Sequence, residues 1–201
     1  SITANVPITV GISSDKACCP DNVYGYTKRM MEHLFFEHNT SNNKFVCTRF
    51  ANVANSNGSV IPFFKKCKEQ NKSILLTDEN MNRLMFSKQE SAELIHRAIT
   101  EAEKSDMPFI LSKLMKNVNM LDLAKTFSDD IKIVGKRPGE KLNETLISET
   151  ELPYTVVNGE GYIFIEPQET EEVYRLQEEL SSLSVENMTT EQLEELVWTE
   201  K

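Results

Sequence analysis

Ile8-Thr9-Val10-Gly11-Ile12-Ser13-Ser14-Asp15-Lys16, running on to Tyr24-Gly25-Tyr26-Thr27-Lys28, holds a strand, a turn and a helix start in one short stretch. The apolar run Ile8–Ile12 reads as a buried strand. Residues just after it emerge at the strand's C-terminal end, where open α/β sheets place their ligands. Pro20, Asp21 and Asn22 are turn and helix-start residues, and an amphipathic run follows from Val23 to about His38. On that helix Tyr24 and Lys28 stand at i and i+4, so phenol and ammonium share a face. A free tyrosine titrates near ~10 and is a poor base at neutral pH. A neighbouring ammonium favours the phenolate and makes it a usable proton acceptor. Ser14, Asp15 and Lys16 add a hydroxyl, a carboxylate and an amine at the same sheet edge. By itself a Y-x-x-x-K spacing also fits a half-buried tyrosine beside a lysine on a solvated helix.

Downstream, Asn39–Asn43 is rich in turn residues and Lys44–Phe50 has strand character. Strand, helix and strand joined by a short loop make a βαβ unit, so the two strands should be parallel neighbours. Asn52 then also lies at a strand's C-terminal end. Asn55–Phe64 opens a short helix through Gln70, and Gly58 and Ser59 bring backbone N–H groups to its start, a seat for an anionic diphosphate. Ile74–Asp78 reads as a strand, 87–103 as a helix, 107–112 as a strand, 118–129 as a helix and 131–134 as a strand. Pro138-Gly139 makes a turn that fixes the spacing of Arg137 and Glu140. Arginine suits a diphosphate, and glutamate can accept from two ribose hydroxyls. Thr155–Val157 and Tyr162–Glu166 read as a hairpin around Asn158-Gly159.

With 39% hydrophobic and 26% charged residues, the 201-residue chain has the composition of an ordinary globular domain. No apolar run reaches the ~20 residues of a membrane span. From Gln168 to Lys201 ten Glu face only Arg175 and Lys201, a balance of −8 within a total of −9. Such a chain offers no electrostatic footprint for nucleic acid. The acidic tail reads as solvated helix, with Leu176, Leu180 and Leu183 on one stripe and Leu193, Leu196 and Val197 on another. Thr189 and Gln192 form a possible capping box before the second. Cys18, Cys19, Cys47 and Cys67 have no zinc-type spacing, and His33, His38 and His96 are scattered, so no metal site is expected. Reduced thiols favour a cytoplasmic setting.

Ile12-Ser-Ser-Asp-Lys-Ala-Cys-Cys-Pro-Asp-Asn-Val-Tyr-Gly-Tyr-Thr-Lys28 resembles the extended short-chain dehydrogenase/reductases. Among these it is most similar to the UDP-N-acetylglucosamine 4,6-dehydratases, C5-inverting or retaining, whose pattern is close to S-T-D-K-A-x-x-P-x-N-x-Y-G-x-T-K. Other blocks follow in the same order. Arg49, Asn52 and Val53 match R-x-x-N-V, and Asn55–Phe64 is close to G-S-R-G-S-V-x-P-x-F with Asn57 in place of the arginine. Asn82–Phe86 resembles T-R-F-W, keeping Arg83 and departing at Asn82 and Leu84. Gly135–Glu144 is close to R-P-G-E-K-x-x-E.

The resemblance implies an α/β fold: the C-terminal part of a Rossmann-like parallel sheet plus a small α/β substrate-binding region. Residues 1–56 would be the remaining catalytic half of the Rossmann-like domain and 57–86 a substrate-binding insertion. Residues 87–117 would return to the core, 118–167 form a small substrate-binding domain and 168–201 an acidic helical tail. No G-x-G-x-x-G follows a strand, so the N-terminal βαβ units, ~120 residues by usual unit length, are expected to be missing. A separate upstream polypeptide and a decayed enzyme remain open.

For the full-length protein the resemblance implies a lyase that uses NADP or NAD to dehydrate a UDP-N-acetylhexosamine to a 4-keto-6-deoxy sugar nucleotide. The product would serve surface polysaccharide or glycoprotein sugar synthesis. Catalytic roles fall on Ser14, Asp15, Lys16, Tyr24 and Lys28, with Tyr24, Lys28 and Val53 toward the cofactor. Asn52, Asn57, Gly58, Ser59, Val60, Ile61, Ile74, Arg83, Arg137 and Glu140 would bind the UDP-sugar substrate. A homo-oligomer is expected of the full-length protein. A UDP-sugar 4-epimerase and a non-catalytic nucleotide-sugar-binding remnant are the alternatives.

Overall fold

The structure is a computed structural model that describes residues 1–137, 139–169 and 175–198. In chain order its elements begin with β1 (Ile8–Ser14), α1 (Val23–His38), β2 (Lys44–Phe50), β3 (Asn52–Val53), α2 (Val60–Glu69) and β4 (Ile74–Leu76). Next come β5 (Asn82–Phe86), α3 (Lys88–Lys104), β6 (Ile110–Lys113), β7 (Asn117–Asn119), α4 (Met120–Lys125) and β8 (Ile131–Ile133). Then follow β9 (Thr145–Ile147), β10 (Thr155–Val157), β11 (Tyr162–Ile165), β12 (Leu180–Ser181) and α5 (Thr190–Trp198). They divide between two compact units, each assembled from separated segments of chain.

The first unit comprises Ser1–Phe50, Ser91–Leu114 and Thr145–Leu180. Its sheet runs β1-β2-β6-β11-β10. The expected βαβ unit is present: β1 and β2 pair in parallel from Ile8 opposite Lys44 to Ser14 opposite Phe50. β6 extends the parallel part, and the hairpin β10–β11 adds antiparallel strands beside it. The middle of β2 is buried on both faces, as a strand covered by helices requires. Adjacent residues on it point to opposite sides. Val46 packs with Leu94, Ala98 and Ala102 of α3, while the Phe45 ring meets Phe35 of α1 edge-on at 5.3 Å. α1 starts where the Asn22 side chain accepts from the Gly25 N–H at 2.9 Å, a normal N-cap.

The second unit comprises Ala51–Glu90, Met115–Glu144 and Ser181–Lys201. β5 pairs in parallel with β3 and antiparallel with β7, and β4 pairs in parallel with β8. Its core joins Ile61 and Phe64 of α2, Leu123 of α4, and Leu193 and Val197 of α5. Thr189 and Gln192 form the expected reciprocal cap of α5, with bonds of 3.1 and 3.3 Å.

Two sequence expectations change. The helix read over 118–129 is only Met120–Lys125. Asn119 accepts from the N–H groups of Leu121 and Asp122 and so starts the helix late, while Asn117–Asn119 pairs with β5. The stripe Leu176-Leu180-Leu183 is not helical: Leu180–Ser181 is a strand and Leu183 is exposed. Locally bonded serines take the backbone groups a helix needs, as in the bond from the Ser181 N–H to Ser184 Oγ at 2.9 Å. Pro138 of the Pro-Gly turn and tail residues 170–174 and 199–201 lie outside the described residues.

Candidate active site

The first unit places Ser14, Asp15 and Lys16 at the C-terminal end of β1, where the chain turns through a short 3-10 helix, Asp15–Ala17. Asp15 is buried, only 3% exposed. Its Oδ1 accepts from Ser14 Oγ at 2.7 Å, from the Lys16 N–H at 3.0 Å and from Lys16 Nζ at 3.1 Å. A buried carboxylate is thus paired with an amine whose side chain is 37% exposed. On α1 the Lys28 ammonium lies 5.6 Å from the centre of the Tyr24 ring and donates to the Ile12 carbonyl at 2.7 Å. Tyr24 itself is 51% exposed. Helix and turn touch at Gly25, where a Cβ would stand 2.3 Å from the Lys16 carbonyl oxygen.

Beneath this group Arg49 of β2 is wholly buried between Glu32 and Glu151. Burial alone would raise the Glu151 carboxyl. The Arg49 charge and its hydrogen bonds, the Ser148 N–H and the Arg29 charge outweigh that effect and bring it from 4.5 to about 2. A carboxyl lowered on folding adds stability above its unfolded value and loses it as pH falls through the folded one. Glu151 should therefore contribute on the order of 3 kcal/mol at neutral pH, lost progressively between about pH 5 and about pH 2. Urea unfolding across that range should show the loss, and Glu151→Gln should flatten it.

The second unit carries an open cavity of about 410 Å³. Asn52, Val53, Gly58, Ser59, Val60, Ile61, Arg83, Arg137 and Glu140 all line it, so nine of the residues read from sequence come together. Ser59 caps α2 without a side-chain cap bond, and its Oγ is buried with no partner among the described residues. The Arg137 backbone N–H donates to Glu140 Oε2 at 3.1 Å, which fixes the Glu140 side chain in the turn that carries Arg137. Asn52 Nδ2 donates to Glu144 Oε2 at 2.8 Å, and Arg83 Nε lies 3.4 Å from Glu144 Oε1. Arg83 also donates to the Lys141 and Leu142 carbonyls at 3.0 and 3.2 Å, tying the loop that carries Arg137 to β5.

Two expected residues stand elsewhere. Ile74 is fully buried in the core, and Leu75, next along β4 and therefore on its other face, lines the cavity instead. Asn57 is exposed on the turn before α2 and is not part of the lining.

A profile of the family described as polysaccharide biosynthesis protein matches residues 1–166. The chain belongs to that family. The UDP-N-acetylglucosamine 4,6-dehydratase (inverting) of Campylobacter jejuni is 35% identical over 165 residues, covering 79% of this chain and 48% of its own length. Capsular polysaccharide biosynthesis protein CapD of Staphylococcus aureus is 39% identical over 154 residues, 71% of this chain and 25% of its own. The crystal structure of Pen from Bacillus thuringiensis has a TM-score of 0.83 and 28% identity, and covers 98% of this chain and 62% of its own. This family member therefore spans about half the length of its Campylobacter relative. Its α/β, Rossmann-like fold agrees with the sequence reading.

Glu32, Glu151 and Glu144 escape a reading by motif role. Glu144 was within reach, as the last glutamate of the R-P-G-E-K-x-x-E block. Glu32 carries no such mark: three residues after Arg29 on an amphipathic helix, it looks like half of a solvated pair. Thr77 and Asp78 also line the cavity without belonging to any quoted block.

Proposed function

We propose that the protein acts in the NAD(P)-dependent dehydration of a UDP-N-acetylhexosamine to its 4-keto-6-deoxy derivative, a step toward surface polysaccharide or glycoprotein sugars. The observation that carries this reading is the buried Asp15 bonded to Lys16 at the end of β1. An epimerase needs one group that accepts and returns the 4-hydroxyl proton, and a simple reductase one that donates a proton to the carbonyl oxygen. Elimination of water needs a further base for H5 and a further acid for the departing 6-hydroxyl. One proton moving along the 3.1 Å Lys16–Asp15 hydrogen bond turns the ion pair into a neutral amine and a carboxylic acid. Lys16 then takes the C5 proton, acidified by the 4-keto group, and Asp15 protonates the 6-oxygen as it leaves as water.

Tyr24 accepts the 4-hydroxyl proton, with the Lys28 ammonium beside its ring. Both side chains fit a nicotinamide ribose as neighbour: Tyr24 is half exposed, and the Ile12 carbonyl takes one of the three donors of Lys28. When bound there, a nicotinamide would supply the hydride acceptor for oxidation at C4 and the hydride donor for reduction at C6, while Lys16 returns a proton to C5. Val53 lines the cavity of the second unit next to Asn52; its place toward the cofactor rests on the resemblance. Reduced thiols and a nucleotide-sugar substrate favour a cytoplasmic setting.

The cavity of the second unit supplies the nucleotide grip. The open start of α2, the unpartnered Ser59 hydroxyl and Arg137 suit a diphosphate. Glu140 suits ribose hydroxyls. Arg137→Ala should weaken UDP binding about tenfold, the loss of one charge-assisted contact of ~1.5 kcal/mol, read by calorimetry or UDP-induced thermal stabilisation. Absence of any UDP effect on the unsubstituted chain would sink the nucleotide reading. For the reaction, incubation of the full-length protein with UDP-N-acetylglucosamine and NAD(P)+ in D2O should yield a 4-keto-6-deoxy product with deuterium at C5. Interconversion of 4-epimers with no keto product would establish an epimerase instead.

A further inference from the structure

We infer that Arg49 is a positioning residue that clamps both flanks of the Ser14–Lys16 segment, acting through Glu32 on one side and Glu151 on the other. A guanidinium has five N–H donors, and the structure gives each of the five an acceptor. Nε and Nη2 donate to Glu32 at 3.0 and 2.8 Å. Nη1 and Nη2 donate to Glu151 at 3.0 and 2.9 Å, and Nη1 also donates to the Leu146 carbonyl at 2.9 Å. A side chain so saturated and wholly buried has nothing left to offer a substrate.

The two carboxylates carry the hold outward. Ser13, immediately before the segment and opposite Arg49 in the β1–β2 register, donates its hydroxyl to Glu32 Oε1 at 2.6 Å. Cys18, immediately after the Asp15–Ala17 turn, donates its thiol to Glu151 Oε2 at 3.5 Å. Burial and the Glu151 charge push the Cys18 thiol up, so it stays a donor at neutral pH. Glu32 lies on α1, the helix of Tyr24 and Lys28, so the same guanidinium references that helix and the turn to β2. Arg29 completes the cluster with a 2.7 Å bond to Glu151, giving two positive and two negative charges.

The position of Asp15 and Lys16 is thus set by a network below them and does not depend on the turn alone. Lysine cannot replace the guanidinium, because its three donors cannot reach two carboxylates and a carbonyl in one plane. The functional part of the inference rests on the proton-transfer roles proposed for Asp15 and Lys16.

Its test separates position from stability. The triple variant Arg49→Met, Glu32→Met, Glu151→Leu removes the clamp and leaves, of the four charges, only that of Arg29, whose side chain is 34% exposed, a replacement that buried ion networks often tolerate. Hydrogen exchange should quicken at the Lys16 and Cys18 amides while the β2 and β6 amides stay protected. In turnover, kcat should fall about 100-fold, the scale of a ~1 Å misplacement, with KM for the UDP-sugar unchanged. Wild-type exchange at Lys16 together with wild-type kcat would overturn the inference. Should the triple variant fail to fold, Glu151→Gln is read in the same way. If the full-length protein, without substitutions, forms no 4-keto product, the dehydratase reading fails, and the exchange comparison still decides whether the clamp exists.

Discussion

Lys16→Met is expected to lower formation of the 4-keto-6-deoxy product by about 10³–10⁴-fold, at the upper end of what a positioned acid–base group contributes. Methionine keeps a flexible unbranched stem and removes the amine, so the change is confined to the base that takes H5. The fold should survive, because Asp15 keeps its bonds from Ser14 Oγ at 2.7 Å and from the backbone N–H of residue 16 at 3.0 Å. UDP binding should survive as well, since the residues assigned to it line a cavity in the other unit.

A dissection within the reaction is available too. Tyr24 can still accept the 4-hydroxyl proton, so Lys16→Met should retain oxidation at C4 and lose exchange of H5 with solvent. Single-turnover absorbance of the reduced nicotinamide against deuterium uptake at C5 separates the two. Product formation within a few-fold of the unsubstituted protein would remove Lys16 from the mechanism and leave the epimerase reading in front.

What the sequence could show follows from how far apart the interacting residues lie. β1, α1 and β2 are legible because each is specified by its own periodicity and by nearby caps such as Asn22. The cavity is legible through short blocks whose residues act together: Gly58 and Ser59 at one helix start, Arg137 and Glu140 in one turn. Arg49 was visible as part of R-x-x-N-V, but its partners lie 17 and 102 positions away, and nothing local marks Glu32 or Glu151 as buried. Ile74 shows a different limit. A three-residue strand has no alternation long enough to assign its faces, and the side turned inward is set by pairing with Ile131 on β8. Likewise the apolar residues after Val118 suit a helix, yet Asn119 makes a better cap than helix interior.

Gly25→Ala should destabilise the protein, against the usual sign for this substitution. In an open helix the change gains up to ~1 kcal/mol, because alanine loses less backbone freedom than glycine. Here the new Cβ would lie 2.3 Å from the Lys16 carbonyl oxygen and 3.0 Å from Pro20 Cβ. Backbone cannot rotate aside as a side-chain tip can, and the turn that carries this oxygen is held at Ser13 and at Cys18. Overpacking against backbone costs ~2–3 kcal/mol, the upper part of the usual range, which leaves a net loss of about 1–2 kcal/mol and a Tm lower by roughly 2–8 °C. Gly58→Ala is the control: its φ of +75° strains alanine, yet among the described residues nothing beyond its chain neighbours lies within 4 Å of the added carbon. That variant should lose about 1 kcal/mol from backbone strain while leaving Lys16 in place. The two therefore separate in turnover. Gly25→Ala should lower kcat about 100-fold by displacing Lys16, whereas Gly58→Ala should act on UDP affinity. A rise in Tm for Gly25→Ala with kcat unchanged would mean that the turn yields to α1, and that the place of Lys16 is not fixed by this contact.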